Sequence, residues 1–182
     1  MDDLLKQCAL AYEDLMSFRY VFTLGLKRNA YTVRLGFPEK AFHHLAGLHK
    51  TGFAALRHGV GKSTLKRVLA GEITQRQVEK AGFSLADRWE GICRLRGMIE
   101  SNRIVFQYRK SHHPGSIIDA EYLISDQQTL FFISGESPAS IFGQRGQGYE
   151  KGCARMTVLR IEREDLRCGS VCELYRNPHY KE

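Results

Sequence analysis

The hydrophobic pattern of the chain changes its period once, at Arg103. Before this residue, most apolar side chains recur at the three- and four-residue spacing of amphipathic helices, and after it they alternate. Ile104, Phe106 and Tyr108 begin the alternating part. Three further strands are predicted over residues 120–124, 129–134 and 154–161. Because turn residues separate these runs, the second half of the chain is expected to form an antiparallel meander.

The first half of the chain combines helices with one hairpin. Apolar residues at helical spacing predict an amphipathic helix over residues 3–17. Two β-rich runs, 20–26 and 31–37, follow closely on each other and predict a β-hairpin. Pro38 is then placed to begin another helix. This order of helix, hairpin, helices and antiparallel strands is typical of the α+β class.

Local signals predict three more helices before Arg103. Gly71 is expected to end a short helix. Thr74 and Gln77 have the spacing of a capping box at a helix start. Ser84 and Asp87 have the same spacing, and a longer helix is expected after them.

The length of the chain predicts a single domain over residues 1–182, since one core of this size can be buried. The hairpin and helices are expected within 1–102 and the meander within 103–162. Residues 135–152 contain five glycines and one proline, which predicts a long mobile loop. The last residues, 175–182, are expected to form a flexible tail.

The segment from Lys40 to Gly71 is basic and contains no acidic residue. Three of the seven histidines of the chain lie within residues 42–50, and the net charge of the whole chain is +7. Such a segment suits a polyanion, with nucleic acid as the first candidate and a membrane surface as the second. Its imidazoles could also transfer protons beside that partner. The alternative is a solvated helix whose histidines have no chemical role.

Helical geometry predicts a direction for each histidine if residues 41–50 form one continuous helix. At about 100° per residue, His44 and His49 flank the apolar stripe on opposite sides, in half-buried positions. His43 and Lys50 are then expected to point outward.

Gly47 lies inside this predicted helix, where glycine costs about 1 kcal/mol relative to alanine. The cost favours close approach of another backbone or of a ligand at this position. An ordinary kink in the helix is the alternative.

Several enzyme classes lack their motifs in this chain. The residues Gly61-Lys62-Ser63-Thr64 resemble the end of a P-loop, but Leu56 occupies the position of its first glycine and no buried strand precedes it. The sequence contains neither the H-E-x-x-H motif of zinc proteases nor the G-x-S-x-G elbow of serine hydrolases. We therefore predict no nucleotide-hydrolysing site, no metal site and no cofactor.

The cysteines predict a reducing environment, because their number is odd and none has the C-x-x-C spacing. Cys8 and Cys93 are expected on the apolar faces of helices. The N-terminus begins with acidic residues, and no apolar run approaches the roughly 20 residues that span a bilayer. The predicted location is the cytoplasm.

The motif F-x-H-L-x-G-L-x-K over residues 42–50, after a basic hairpin, resembles the signature of a phage- and mobile-element-associated family. That family is grouped with the barnase/EndoU/colicin/RelE-like nucleases as their fourth phage-associated type. The resemblance covers most of residues 4–162, and the signature is its specific part. It implies an α+β fold with a curved antiparallel sheet, and metal-independent cleavage of RNA.

The resemblance carries catalytic roles onto matching positions only, and these are His44, Gly47, Leu48, His49 and Lys50. His44 or His49 is expected to take the proton of the 2′-OH and to protonate the leaving 5′-oxygen. Lys50 corresponds to the cation of the family and would stabilise the phosphorane. No glutamate matches the barnase-type base beside the histidines, which leaves the identity of the general base open.

Other basic residues are candidates for substrate binding. Arg34 and Arg109, on polar faces of predicted strands, are predicted to hold the scissile phosphate by bidentate contacts. Lys62, Lys66 and Arg67 are predicted to follow the RNA backbone.

The leading hypothesis is a metal-independent RNA endonuclease that acts as a toxin or phage effector. RNA, including tRNA, is the expected partner, together with a cognate inhibitor protein. The alternative is a non-catalytic nucleic-acid-binding or protein-interaction module with a nuclease-like fold, and the missing carboxylate base favours it. An enzyme needs His44 or His49 to converge with Lys50 and an arginine in one cleft.

Overall fold

A computed structural model describes residues 3–50, 63–143 and 148–181. The strands are β1 Phe18–Leu26, β2 Asn29–Gly36, β3 Ile104–Gln107, β4 Tyr122–Ser125, β5 Thr129–Ser134, β6 Ser137–Gly143, β7 Ala154–Asp165 and β8 Val171–Arg176. The helices are α1 Leu4–Met16, α2 Phe42–Leu45, α3 Thr64–Leu69, α4 Gln75–Lys80 and α5 Ala86–Ser101. Short 3₁₀ turns cover Glu39–Ala41, Leu48–Lys50 and Lys110–His112.

The strands form one antiparallel sheet in the order β2-β1-β7-β3-β4-β5-β6, and β8 also pairs with β7. The sheet is strongly curled, since the amide of Gly36 at the end of β2 donates a 2.9 Å hydrogen bond to the carbonyl of Glu136, between β5 and β6. The predicted α+β class, with N-terminal helices, a hairpin and a curved antiparallel sheet, is confirmed.

The hairpin joins the sheet through β1, which pairs with β7 from Phe18 opposite Asp165 to Gly25 opposite Thr157. Every second residue of β1 contributes to the main hydrophobic core, since Tyr20, Phe22 and Leu24 are all buried in it. Each of these side chains removes a large apolar area from water.

The helices α1 and α5 pack against each other and contribute to the same core. Their buried side chains recur at helical spacing, as in Leu5, Cys8, Tyr12 and Leu15 of α1. Asp3 caps α1 by accepting a hydrogen bond from the amide of Lys6. The helix predicted over residues 3–17 is therefore confirmed within one residue at each end.

The helix signals before Arg103 are partly confirmed. Gly71 has a positive φ of 75° just after α3, and Thr74 with Gln77 forms a full capping box at α4. The capping box predicted at Ser84 is wrong, because α5 begins at Ala86 without a side-chain cap. Cys93 is exposed rather than part of an apolar face.

The prediction of a long loop over residues 135–152 is wrong for its first half, which β6 occupies. Gly135, at a φ of 56°, makes a tight turn that places Ser137 opposite Ser134. The glycine therefore serves a hairpin turn rather than a flexible segment.

β8 includes Tyr175 and Arg176, so the first two residues of the predicted tail pair with β7. The flexibility of the remaining tail residues stays a prediction. Within the described ranges, no helix is long and apolar enough to cross a membrane.

Candidate functional site

The histidine segment is broken at Gly47. α2 ends at Leu45, Gly47 has a φ of 75°, and a 3₁₀ turn follows over Leu48–Lys50. This left-handed conformation suits glycine, since a side chain would be strained there. The predicted continuous helix over residues 41–50 is therefore wrong.

Close approach at Gly47 was expected from the sequence, but it comes from side chains of another helix. A β-carbon at this position would lie 2.9 Å from Cδ of Arg88 and 3.0 Å from Cδ2 of Leu85. The indole Nε1 of Trp89 donates a buried 3.1 Å hydrogen bond to the carbonyl of Ala46. The start of α5 thus holds the histidine segment in place.

The break at Gly47 gathers the three histidine rings. The ring centroids of His44 and His49 are 4.8 Å apart, and His43 lies 5.3 Å from His44 and 6.1 Å from His49. The directions predicted on a straight helix are wrong, because His44 and His49 lie on the same side and are exposed. His43, expected to point outward, is half-buried.

A pocket of about 460 Å³ opens beside these rings. Residues that line it come from the histidine segment, α5, the segment 115–119, β6 and the residue Tyr149. The lining residues used below are His44, His49, Lys50, Arg88, Ile117, Asp119, Phe142 and Tyr149. Lys50 was predicted to point outward, but in the structure it lines the same pocket as the two histidines.

Arg88 is a site residue that sequence reasoning missed. Its Nη1 lies 3.5 Å from the carbonyl oxygen of Leu45, and its guanidinium carbon lies 5.7 Å from the ring centroid of Phe142. Burial lowers the pKa of Arg88 from its ordinary value. The pKa of Lys50 is lowered by burial first and by the charge of Arg88 second. Two cations therefore share this pocket.

The histidines differ in their surroundings. Burial lowers the pKa of His49, and the charge of His44 lowers it further, while a hydrogen bond to the His43 backbone opposes these effects. The pKa of His43 is lowered by burial and then by His44. Nδ1 of His43 also lies 3.2 Å from Oγ1 of Thr64 in α3. A lowered pKa favours neutral imidazole, the form that accepts a proton.

The arginines predicted to bind the scissile phosphate lie elsewhere. Arg34 is exposed on β2, and Arg109 lines a separate, smaller pocket with Tyr108 and Glu121. Neither residue lines the histidine pocket. The structure brings Arg88 to this pocket instead.

The residues predicted to follow the RNA backbone differ in accessibility. Nζ of Lys66 lies 3.6 Å from a carboxylate oxygen of Glu39, and its side chain is 65% exposed. Nε of Arg67 lies 3.3 Å from a carboxylate oxygen of Glu72, and its side chain is only 13% exposed. Lys62 lies outside the described residues.

A carboxylate does enter the pocket, although the sequence shows none near the histidines. Asp119, which is exposed, lines the pocket from the segment 115–119.

Within the part of the chain that the structure describes, no group of three or more histidine, cysteine, aspartate or glutamate side chains is placed to hold a metal ion.

The sequence model of the phage-Barnase-EndoU-ColicinE5/D-RelE like nuclease 4 family matches residues 4–153. The chain belongs to this family. The resemblance recognised in the F-x-H-L-x-G-L-x-K motif is thereby confirmed. No curated protein and no solved structure matches the chain.

Membership of the nuclease 4 family implies a nucleic-acid substrate. The matched range contains the histidine segment and all the lining residues of the pocket named above. β7 and β8 lie beyond it. The candidate site therefore lies within the part of the chain that matches the nuclease 4 family.

Proposed function

We propose that this protein is a metal-independent RNA endonuclease whose active site is the histidine pocket. One observation carries the proposal: the rings of His44 and His49, 4.8 Å apart, line the same pocket as Lys50 and Arg88. Two imidazoles, which can accept or donate a proton, thus lie beside two cations. Cleavage of a phosphodiester by an internal hydroxyl needs these components.

His49 is the proposed general base, because its lowered pKa keeps the ring neutral at neutral pH. It takes the proton of the 2′-OH as the 2′-oxygen bonds to phosphorus. His44 is the proposed general acid and gives a proton to the 5′-oxygen as the P–O5′ bond breaks. The products are a 2′,3′-cyclic phosphate and a free 5′-hydroxyl.

Lys50 and Arg88 are proposed to stabilise the extra negative charge of the phosphorane. Burial lowers the pKa of both residues, but only Arg88 is half-buried and partly shielded from water, whereas Lys50 is exposed. Charges act more strongly in such surroundings than in bulk water. A guanidinium can also bind two phosphate oxygens at once, so Arg88 takes the role first predicted for Arg34 and Arg109.

Asp119 is the competing candidate for the general base, as it lines the same pocket. Asp119→Asn retains the size of the side chain and removes its charge. If His49 is the base, this variant keeps most of the activity, whereas His49→Gln loses it. The opposite result would assign the base role to Asp119.

The direct test is incubation of the purified protein with total RNA and with tRNA in EDTA, between pH 5 and 8. We expect cleavage that leaves cyclic phosphate ends, and loss of cleavage in His44→Gln, His49→Gln and Lys50→Ala. Lys6→Ala, an exposed lysine on α1, is the matched control for Lys50 and should cleave like the wild type.

Intact RNA at every pH, with folded protein and salt-dependent binding, would contradict the proposed cleavage and support the non-catalytic module instead. A preference for tRNA, a role as a toxin and a cognate inhibitor stay predictions. Growth arrest on expression of the wild type but not of His49→Gln is the expected cellular result.

A further inference from the structure

The histidine pocket has a second group of lining residues that the proposed cleavage does not use. Ile117, Phe142 and Tyr149 line the pocket together with the charged residues. Accessible apolar and aromatic side chains would add no affinity in a site that bound only phosphates. These residues therefore indicate a ligand with an apolar face.

Ile117 is unusual because it is 86% exposed at the pocket although its segment is anchored. Oγ of Ser116, the preceding residue, lies 3.1 Å from the hydroxyl of Tyr108 and accepts a 3.2 Å hydrogen bond from the amide of Ile118. His113 stacks on Tyr108 with ring centroids 5.2 Å apart and an angle of 5°. Ile117 is thus exposed on a segment that these contacts hold in place.

Tyr149 is held by an aromatic cluster. Its ring centroid lies 5.4 Å from that of Phe132, 5.6 Å from that of Phe142 and 5.4 Å from that of His113. The ring is half-buried, so part of it remains available at the pocket. A ring fixed in this way loses little conformational freedom when a ligand stacks on it.

We propose that Ile117 and Tyr149 form a nucleobase subsite and that the enzyme therefore acts on unpaired nucleotides. Bases of single-stranded RNA stack on aromatic and apolar side chains, whereas a duplex keeps their faces covered. The volume of about 460 Å³ lies within the roughly 300–1,000 Å³ typical of small-ligand pockets. The phosphate beside this base would then lie at Lys50 and Arg88, which rests on the proposed function.

The subsite is tested by equilibrium binding of a short 2′-O-methyl RNA, which lacks the attacking hydroxyl and stays intact. A second probe has the same backbone without bases, and a third is the duplex of the first. We expect the wild type to bind the single strand about tenfold more tightly than the base-free probe, as one stacked base would give. The duplex should bind more weakly than the single strand.

Tyr149→Leu and Ile117→Ser should lose this preference for the base-containing strand, while Tyr149→Phe should keep it. Ile117→Ser tests the subsite without touching the aromatic cluster. Val171→Ser is the matched control, since Val171 is a β-branched residue that is 62% exposed on β8, away from the pocket lining. It should bind all three probes like the wild type.

The outcomes separate this proposal from the proposed cleavage. Cleavage of RNA by a wild type that binds both single-stranded probes equally would overturn the subsite alone. A base preference that depends on Ile117 and Tyr149, without cleavage of natural RNA, would overturn the cleavage alone. Failure to bind any probe at low salt would overturn both.

Discussion

Cδ of Arg88 lies only 2.9 Å from the position that a β-carbon on Gly47 would occupy. The glycine in the histidine segment and the arginine in α5 are therefore fitted to each other. Gly47 turns the backbone so that His49 returns to His44, and its missing side chain leaves room for Arg88 beside them. One residue thus affects both the histidine rings and a cation of the pocket.

Gly47→Ala should destabilise the protein more than Gly71→Ala. Both glycines have a φ of 75°, so each substitution places alanine in the left-handed region and lowers the unfolding free energy by about 1–2 kcal/mol. Only Gly47→Ala must also displace Arg88 and Leu85, because among the described residues no atom lies within 4 Å of the β-carbon position at Gly71. Urea unfolding of the two variants measures the difference. Equal losses of unfolding free energy would show that the contact with Arg88 has no energetic weight.

Removing the charge of His44 should raise the pKa values of its two neighbours. His44 lowers the pKa of His43 and of His49, so His44→Gln should move both titrations upward, toward the ordinary value. NMR titration of the imidazole resonances measures this shift. His112→Gln, whose ring contacts the carbonyl of Gly152, is the control and should leave both titrations unchanged. An unchanged His49 titration in His44→Gln would contradict the coupling.

Leucines and histidines of the same segment should respond differently to substitution. Leu45→Ala and Leu48→Ala should each cost about 2–5 kcal/mol of unfolding free energy, since both side chains are buried in the core. His44→Gln should cost less than about 1 kcal/mol, because the side chain is exposed. Denaturant unfolding and RNA cleavage are measured on the same samples. Early unfolding of His44→Gln would assign the residue a structural role.

Lys66 and Arg67 are adjacent, but only Lys66 is expected to contribute to RNA affinity. Lys66→Ala should weaken binding and lower the slope of log affinity against log salt by about one, as loss of one phosphate contact does. Arg67→Ala should mainly lower stability, since its shielded side chain pairs with Glu72. Binding titrations at several salt concentrations test both variants. A larger change of slope for Arg67→Ala would reverse the assignment.

Periodicity predicted most of the architecture, because a strand with one buried face alternates apolar and polar side chains. The exact prediction of β5 over residues 129–134 rests on an apolar run between turn signals. β6 was missed because its Pro138 and Gly143 resemble loop residues, while pairing with β5 stabilises it as a strand. Strand pairing of this kind depends on residues that a local pattern does not include.

The candidate site was predictable only as a set of residue types. His44, His49 and Lys50, which the sequence predicts as catalytic residues, line one pocket, although a straight helix gave them the wrong directions. The left-handed turn at Gly47 is stabilised by α5, which lies about 40 residues later in the chain. Arg88 has no local signal for the same reason, since tertiary packing brings it to the pocket.

The pairing of β1 with β7 has a consequence for the order of events during synthesis. Thr157 is made roughly 130 residues after its partner Gly25, which corresponds to on the order of ten seconds at ribosomal speed. During that time the hairpin has no strand to join it to β3. Contacts between such distant segments also form slowly after synthesis. The histidine segment of the nascent chain is therefore complete well before the sheet can form. Any activity of the pocket then requires the synthesis of β7, the second-last of the described strands.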